Sequence, residues 1–396
     1  MSQNPIITIL GRKLRLGLIG GGPGSFIGPM HRLAARVDGK YEITACALSS
    51  DPGRALKAGL ELGLPEDRIY TDALNLIKSE IARQDGVDVV AIMTPNDSHF
   101  PYAMAALENS LDVICDKPMT NTLEEAETLY RRVKDSGLIF CLTHNYTGYP
   151  MVRQAKAMID AGQLGNIRLV QIEYVQGGRA KEIDLNPGDP ALPWRFYPQK
   201  SGPSLVLGDI GSHAHNLVRF ITSLEVTEVA AECSNIVPKR KVDDYTGALL
   251  RFENGARGIF WVTQAAAGVE NCLRFRISGT KGSLEWEQEI PQRLVFKPID
   301  GPAEIRTPNG PGTLPLAANA SRIVAGHPEG FPMGFANLYA DAAIAIAARR
   351  AGVDADPLTC HFPNAYDGLM GIRFIDSVLR SSRQNGKWTA CDLQVN

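Results

Sequence analysis

The chain has 396 residues, of which 44% are hydrophobic and 21% charged, and its formal net charge at pH 7 is -2. This length suits two domains with separate cores, and the charge excludes the basic footprint of a nucleic-acid-binding protein or of a protein that binds acidic membranes. No apolar run reaches the roughly 18 residues that span a bilayer, and the N-terminus lacks the pattern of a signal peptide. The cysteines include no Cys-x-x-Cys pair, so we expect a reduced, cytoplasmic protein without disulfides.

Short apolar runs alternate with helical periodicity in the first part of the chain. We predict strands over residues 14–20, 42–48, 87–93, 113–117 and 138–142, and helices over 27–37, 101–109 and 123–134. Continuous apolar strands separated by helices predict a parallel sheet covered on both faces.

The pattern changes near Thr143. After a helix over 151–161, strand-like runs follow over 167–175, 228–233, 245–252, 256–263, 272–278 and 282–286. Glu253-Asn254-Gly255 is typical of a hairpin turn, and the series predicts a mostly antiparallel sheet. Two Gly/Pro-rich stretches, 177–203 and 298–332, are predicted as long loops, which usually carry function. Helices over 335–351 and 365–382 close the chain.

The loop Gly20-Gly21-Gly22-Pro23-Gly24 follows a strand and precedes a helix. Glycines at such a place allow a pyrophosphate to approach the backbone at a helix N-terminus. The spacing departs from G-x-G-x-x-G because Ser25 follows Gly24, and Gly28 would supply the third glycine after an insertion. The loop is therefore typical either of a dinucleotide site or of a tight turn.

The end of the second strand should read the adenosine ribose, about 20 residues after the glycines. Ser49, Ser50 and Asp51 stand there. Asp51-Pro52 is equally typical of a plain helix N-terminus, and Arg54 fits either a 2′-phosphate or a solvated helix face. These residues leave the choice between NAD and NADP open.

Two further strands end in polar segments. Thr94-Pro95-Asn96, with His99 after it, is expected beside a nicotinamide ribose or as the N-terminal turn of a helix. Lys117 follows an apolar strand and precedes Pro118, which holds it in extended conformation at the carboxyl edge of the sheet, where ligands bind. A lysine ammonium there stabilises charge developing on a carbinol oxygen.

Another polar segment, Gly208 to Asn216, opens an apolar-periodic helix. If Asp209 and His213 are both helical, they share one face, and Asn216 joins it. A carboxylate beside an imidazole raises its basicity, as a general base requires; an N-cap aspartate beside a core histidine is the structural alternative. His213 and His215 point apart on one helix, and no metal-binding motif occurs, so we predict no metal site.

The chain resembles the Gfo/Idh/MocA family of nicotinamide-dependent oxidoreductases over essentially its whole length. The resemblance depends on the glycine loop, Thr94-Pro95-Asn96, Lys117-Pro118, the Gly208–His213 stretch and Ser278-Gly-Thr-Lys-Gly-Ser283. It implies an α/β fold with an N-terminal Rossmann dinucleotide-binding domain, residues 1–143. A C-terminal α/β domain with a large, open, mostly antiparallel sheet, residues 144–396, would bind substrate and form the oligomer, with the last helices free to pack on the first domain.

The resemblance also implies roles for particular residues. Lys117, Asp209 and His213 would be catalytic, with His213 as the general base and Asp209 orienting the substrate or tuning His213. The cofactor, NAD with NADP not excluded, would contact Gly20, Gly22, Gly24, Ser25, Phe26, Ile27, Ser49, Ser50, Thr94, Pro95, Asn96, His99, Asp116 and Lys117. The substrate would contact Lys117, Asn145, Trp194, Arg195, Asp209, His213, Asn216 and His327.

Some positions depart from the family's usual pattern. Aspartate precedes Lys117 where the family usually has glutamate, Asn216 stands where many members have aspartate, and the segment 143–146 lacks the common arginine. Trp194, Arg195, Asn145 and His327 each have a structural alternative as a buried ring, a surface charge or a loop cap.

The expected activity is oxidation of one secondary hydroxyl of a monosaccharide, anhydrosugar or cyclitol to a ketone by a homo-oligomer that packs through its C-terminal sheets. The alternatives are a redox-neutral, NAD-assisted sugar reaction on the same fold, a reductase using NADPH, or a non-catalytic dinucleotide-sensing protein.

Overall fold

The computed structural model describes residues 4–183 and 192–392. The chain forms two compact units. The first comprises residues 1–120, 124–148 and 331–368, and the second comprises residues 121–123, 149–330 and 369–396. The part of the predicted loop 177–203 that spans residues 184–191 lies outside the described residues.

The α-helices, numbered in chain order, are α1 (Pro5–Leu10), α2 (Ile27–Val37), α3 (Pro52–Glu61), α4 (Ala73–Ile81), α5 (His99–Glu108), α6 (Leu123–Ser136), α7 (Pro150–Asp160), α8 (Pro198–Ser201), α9 (Ser212–Thr222), α10 (Pro315–Asn319), α11 (Phe331–Ala351) and α12 (Ala365–Arg383). The strands are β1 (Leu14–Gly20), β2 (Tyr41–Ala47), β3 (Val89–Met93), β4 (Asp112–Cys115), β5 (Phe140–Leu142), β6 (Ile167–Val175), β7 (Val226–Ser234), β8 (Tyr245–Phe252), β9 (Arg257–Thr263), β10 (Cys272–Gly279), β11 (Gly282–Glu287), β12 (Leu294–Pro298), β13 (Glu304–Arg306) and β14 (Thr389–Ala390).

The first unit contains a five-stranded sheet in the order β2-β1-β3-β4-β5, and every neighbouring pair is parallel. This confirms the predicted parallel sheet and the Rossmann-type fold. The strand order reverses beside β1, and Gly20 at the end of β1 pairs with Met93 at the end of β3. The loops that follow these two strands therefore leave the sheet side by side, where doubly wound sheets bind ligands.

Helix α11 supplies one side of the first unit's core, where Phe335, Leu338 and Tyr339 pack with buried residues of β1 and α2. Among helices in the described residues, α11 alone has the length and mean hydropathy of a membrane span, but 72% of its apolar window is buried inside the protein. Its apolar composition is that of a core helix, hydrophobic on all sides.

The second unit contains a nine-stranded sheet in the order β13-β12-β11-β10-β6-β9-β8-β7-β14. β6 and β9 pair in parallel, and the other neighbours pair antiparallel. The predicted hairpin at Gly255 joins β8 to β9, and Gly255 has φ +85°, which favours glycine. Buried and exposed residues alternate along β8 and β9, so one face of the sheet is covered and the other is open.

The predicted loop over 298–332 is wrong in part. β13 pairs with β12 at the sheet edge, and α10 begins at Pro315, whose fixed φ suits the first helical position. Proline and glycine on either side conceal both short elements in the sequence. Helix α3 lacks a clear sequence signal, because Asp51-Pro52 has two interpretations. Helix α4 is absent from the sequence prediction.

Candidate functional site

The glycine loop packs against neighbouring backbone so closely that side chains would not fit. A Cβ at Gly28 would lie 1.9 Å from the carbonyl oxygen of Gly21, and one at Gly22 would lie 2.1 Å from that of Leu48. Gly20, Gly21 and Gly24 have positive φ. Gly28 therefore serves as the third close-packing glycine, as the sequence suggested, and the loop brings bare backbone to the N-terminus of α2.

Ser25 and Phe26 form the entry to α2. The hydroxyl of Ser25 accepts a hydrogen bond from the backbone N–H of Gly28 at 3.2 Å. Phe26 is 74% exposed, and its ring lies 6.2 Å from that of Phe331. The first turn of α2, which starts at Ile27, contains no acidic residue, so the helix dipole is available to an anion.

The end of β2 is organised by Asp51, which caps α3 by accepting a hydrogen bond from the N–H of Arg54 at 2.7 Å. Asp51 thus serves as the helix N-terminus that the sequence allowed. The Ser49 hydroxyl accepts from the N–H of Asp51 at 3.2 Å. The guanidinium of Arg54 donates to the carbonyl of Pro23 at 3.3 Å, which ties α3 to the glycine loop, next to Ser49 and Ser50.

His99 connects the loops that follow β3 and β4. Its imidazole is buried, with Nε2 3.0 Å from the carbonyl oxygen of Thr94 and Nδ1 2.8 Å from that of Pro118. Pro95 and the buried Asn96 lie between Thr94 and His99. The two segments that the sequence predicted around the nicotinamide are therefore held together by one side chain.

Asp116 fixes the backbone at Lys117. Its Oδ1 accepts hydrogen bonds from the Lys117 N–H at 2.9 Å and from the Thr143 hydroxyl at 3.0 Å. The Lys117–Pro118 peptide bond is cis. Lys117 follows the end of β4 at Cys115, at the carboxyl edge predicted for it, and it is partly buried.

Asp209 lies in a π-helical turn, Leu207–Gly211, that leads directly into α9. A π-helical turn has more residues per turn than an α-helix, and four residues separate Asp209 from His213 across its junction with α9. Such turns occur frequently at functional sites. His213 and Asn216 lie on α9 itself, and both are buried.

Arg195, Arg179 and Gln264 donate hydrogen bonds to the Asp209 carboxylate. Arg195 Nε donates to Oδ1 at 3.1 Å, while Arg179 Nη2 and Gln264 Nε2 donate to Oδ2 at 3.0 and 2.9 Å. Burial lowers the pKa of Arg179, and the negative charge of Asp209 opposes this shift. The carboxylate is thus held in one orientation by two cations and one neutral amide.

Aromatic rings support the two arginines. Arg195 lies 4.4 Å from the centre of the Trp194 ring, and Arg179 lies 5.2 Å from that of Phe196. Trp194 is partly buried by this stacking. These cation–π contacts hold the guanidinium groups in the direction of Asp209.

His213 and His215 have different surroundings on α9. The edge of the His213 ring contacts Tyr174, with ring centres 6.3 Å apart. His215 stacks on Phe374 at 4.2 Å, as a core side chain does. Among the described residues, no three His, Cys, Asp or Glu side chains gather in a way that holds a metal ion.

The remaining predicted substrate residues belong to different units. Asn145 is buried in the first unit, and its Nδ2 has no hydrogen-bond partner among the described residues. His327 is exposed in the second unit, 3.2 Å from the carbonyl oxygen of Val324. Lys117 belongs to the first unit, whereas Asp209, His213 and Arg195 belong to the second.

Sequence reasoning missed Arg179 and Gln264 as partners of Asp209. Arg179 lies in a predicted loop, where a charged residue is not informative. Gln264 follows β9, and its contact with Asp209 spans a separation of 55 residues, which no local pattern encodes.

Comparison with known proteins identifies relatives along the chain. A model of an oxidoreductase family with an NAD-binding Rossmann fold matches residues 14–144, and a model of the GFO/IDH/MocA C-terminal domain matches residues 152–285. An uncharacterised oxidoreductase, YfiI of Bacillus subtilis (strain 168), is 32% identical over 383 residues, which cover 96% of this chain and 97% of the relative.

Two further comparisons involve a named dehydrogenase and a homolog of one. A levoglucosan dehydrogenase of Pseudarthrobacter phenanthrenivorans is 32% identical over 308 residues, covering 70% of this chain and 74% of that protein. The crystal structure of an inositol dehydrogenase homolog from Azotobacter vinelandii, complexed with NADH and myo-inositol, has a TM-score of 0.87 and 32% identity. That match covers 96% of this chain and 98% of the other.

Proposed function

The chain belongs to the Gfo/Idh/MocA family of NAD-binding oxidoreductases, and on that premise we propose that it oxidises a secondary hydroxyl of a cyclitol, monosaccharide or anhydrosugar to a ketone. The observation that carries the proposal is the Asp209 carboxylate, which three donors fix in a π-turn just before His213. A partly buried carboxylate that is held by two arginines and an amide, four residues before a histidine, is a candidate for a catalytic site.

The first unit supplies the dinucleotide site. The bare backbone of the glycine loop and the N-terminus of α2, whose first turn holds no acidic residue, fit a pyrophosphate, and Ser25, Phe26 and Ile27 form the entry of that helix. Ser49 and Ser50 would face the adenosine ribose, and the His99-linked loops would face the nicotinamide. When bound, NAD supplies the hydride acceptor of the reaction.

Lys117 and His213 would handle the substrate proton. The Lys117 ammonium stabilises negative charge on the reacting oxygen, and the His213 imidazole accepts the hydroxyl proton as general base. Asp209 would orient the substrate or the imidazole, with its own orientation set by Arg179 and Arg195. Asn145, Trp194, Asn216 and His327 remain candidates for contacts to the other hydroxyls.

A homo-oligomer would cover the open face of the second sheet. By strand register Leu249, Ile259 and Gln171 share this face, and Leu249 and Ile259 are 53% and 50% exposed. Glu173 pairs with Arg274 on the same face, and Glu285 accepts from Arg276 at 2.9 Å. Both signs of charge beside exposed apolar residues, around a cavity of about 530 Å³, fit a second copy of the same surface.

The free cysteines support our proposal that the protein works in the cytoplasm. All seven are free thiols. A chain with that many unpaired thiols fits the reducing cytoplasm, where NAD-linked sugar oxidation has its cofactor.

The first experiment follows nicotinamide reduction by absorbance with NAD or NADP across a panel of inositols, aldoses and anhydrosugars. We expect turnover with a narrow set of polyols. Lys117→Ala should then lose roughly 10²- to 10³-fold in kcat while keeping its affinity for NAD, whereas Lys134→Ala, an exposed lysine of the same unit, should change neither.

Two outcomes would redirect the proposal. Tight dinucleotide binding without turnover on the whole panel favours a redox-neutral sugar reaction or a sensor. Turnover that Lys117→Ala leaves intact removes Lys117 from the catalytic set.

A further inference from the structure

An amide relay connects Asp209 to the surroundings of His213. Gln264 follows β9 and Gln176 follows β6, and these strands pair in parallel with Thr263 opposite Val175. Both glutamines therefore leave the sheet at the same edge. Asn271 precedes β10, whose first residue, Cys272, also lies opposite Val175, so it joins them there.

The Asp209 carboxylate fixes which end of each amide donates in this relay. A carboxylate only accepts hydrogen bonds, so the Gln264 amide must present its NH₂ to Asp209, at 2.9 Å, and it also donates to Gln176 Oε1 at 3.1 Å. Gln176 must then present its own NH₂ to Asn271 Oδ1, at 2.6 Å. The Tyr174 hydroxyl donates to the same oxygen at 2.8 Å.

The far end of the relay reaches the candidate general base. Tyr174 is buried, and its ring meets the edge of His213 at 62°. The orientation of Asp209 and the ring that packs on His213 are thus parts of one hydrogen-bonded network.

Gln264 connects Asp209 to the other side chains of this network. It is 2% exposed, its NH₂ bridges Asp209 and Gln176, and its Oε1 accepts no hydrogen bond among the described residues. Arg179 and Arg195 hold Asp209 through charged hydrogen bonds, whereas Gln264 orients one carboxylate oxygen through a neutral hydrogen bond.

We propose that Gln264 is a positioning residue that acts through Asp209, an inference that rests on the proposed role of Asp209 in the dehydrogenase reaction. By fixing one carboxylate oxygen and coupling it to the Gln176–Tyr174 network, Gln264 holds Asp209 in its productive orientation. Small displacements of such groups reduce turnover strongly.

A double-mutant cycle tests this inference. Gln264→Met preserves the volume and removes the amide. We expect kcat to fall roughly 10- to 100-fold, with the KM for NAD within about twofold. In an Asp209→Asn background the same substitution should cost less than about twofold, because the group through which Gln264 acts is already altered. Gln384→Met, at an exposed position, is the matched control.

Gln264→Glu supplies a readout that a purely structural role would not move. The new carboxyl faces Asp209 Oδ2, the oxygen that also accepts from Arg179, while Arg195 donates to Oδ1. Two adjacent carboxylates favour sharing a proton. The protonated glutamic acid can donate to Asp209 as the amide does, so activity should recover toward acidic pH and the pH profile should shift to lower pH. This variant also keeps the test open if Gln264→Met does not fold.

The outcomes separate the inference from the function on which it rests. Equal losses from Gln264→Met in wild-type and Asp209→Asn backgrounds, or an unshifted pH profile for Gln264→Glu, would overturn the positioning role. Full activity of Asp209→Asn alone would instead remove Asp209 from the proposed mechanism.

Discussion

The Nδ1 atom of His99 lies 2.8 Å from the carbonyl oxygen of Pro118, directly after the lysine proposed to act in the reaction. Its Nε2 lies 3.0 Å from the carbonyl oxygen of Thr94. Because both partners only accept, a neutral imidazole makes one of these bonds and an imidazolium makes both. The sequence predicted His99 as a cofactor contact; the structure gives it the additional role of holding the two loops together.

Replacing His99 by Phe retains a ring and removes all ring hydrogen bonding to the Thr94 and Pro118 carbonyls. Each bond contributes about 1 kcal/mol, so the affinity for NAD should fall roughly tenfold or more, since both loops lose their anchor. Fluorescence titration of NAD measures the change. Tyr102→Phe on the same helix is the control, and an unchanged dissociation constant for His99→Phe would refute a role in the cofactor site.

Gly28 is the position where the glycine loop tolerates a side chain least. A Cβ there would lie 1.9 Å from the Gly21 carbonyl oxygen, and backbone cannot move aside as a side chain does. Gly28→Ala should therefore displace the loop and weaken NAD binding at least about tenfold. Gly53→Ala on α3 is the control, because its nearest atom is 3.6 Å away and alanine is favoured in a helix by about 0.5–1 kcal/mol. Equal NAD affinities of the two variants would contradict the assignment.

The local sequence patterns of the first unit were sufficient to predict its parallel sheet. The apolar run Leu14–Gly20 forms β1 with the predicted limits, and α2 begins and ends as predicted. Lys117 stands at the predicted sheet edge because a buried strand followed by proline has few alternatives. Gly28 was identified despite the irregular spacing, because its context of strand, turn and helix was readable.

The surroundings of Asp209 were beyond prediction, because they depend on contacts distant in the chain. Gln264 contacts Asp209 from the end of β9, with a separation of 55 residues in the chain, so no local pattern indicates the contact. The π-turn at Leu207–Gly211 adds width that no residue spacing indicates. The sequence thus predicted Lys117, Asp209 and His213 as candidates, whereas the contacts that orient Asp209 depend on residues distant in the chain.

The open face of the second sheet gives a prediction about assembly. Ile259→Glu places a charge at the centre of this face, beside Leu249 and Gln171. If the face is covered by a second copy, burying that charge is unfavourable, and the protein should dissociate. Size-exclusion chromatography with light scattering measures the mass. Val353→Arg, at an exposed apolar residue of the first unit, should leave the mass unchanged, and an unchanged mass for Ile259→Glu would exclude this face.

His31 should make the stability of the protein depend on pH. Its imidazole is fully buried, 2.8 Å from the Tyr339 hydroxyl, and burial lowers its pKa from 6.5 to about 4. Between these values the unfolded chain binds more protons at this residue than the folded chain does, so the free energy of unfolding falls as pH falls from about 6.5 to about 4. The full loss at this residue is on the order of 3 kcal/mol.

His31→Gln removes the titrating group from the core. It should lower stability at pH 7 by about 1–3 kcal/mol, because the hydrogen bond to Tyr339 and the packing on Phe335 change. It should also flatten the slope of stability against pH between roughly 4.5 and 6.5, where the folded and unfolded chains differ most in protons bound at this residue. Urea unfolding at several pH values measures both quantities. A slope as steep as that of the wild type would mean that His31 is protonated in the folded protein as readily as in the unfolded chain.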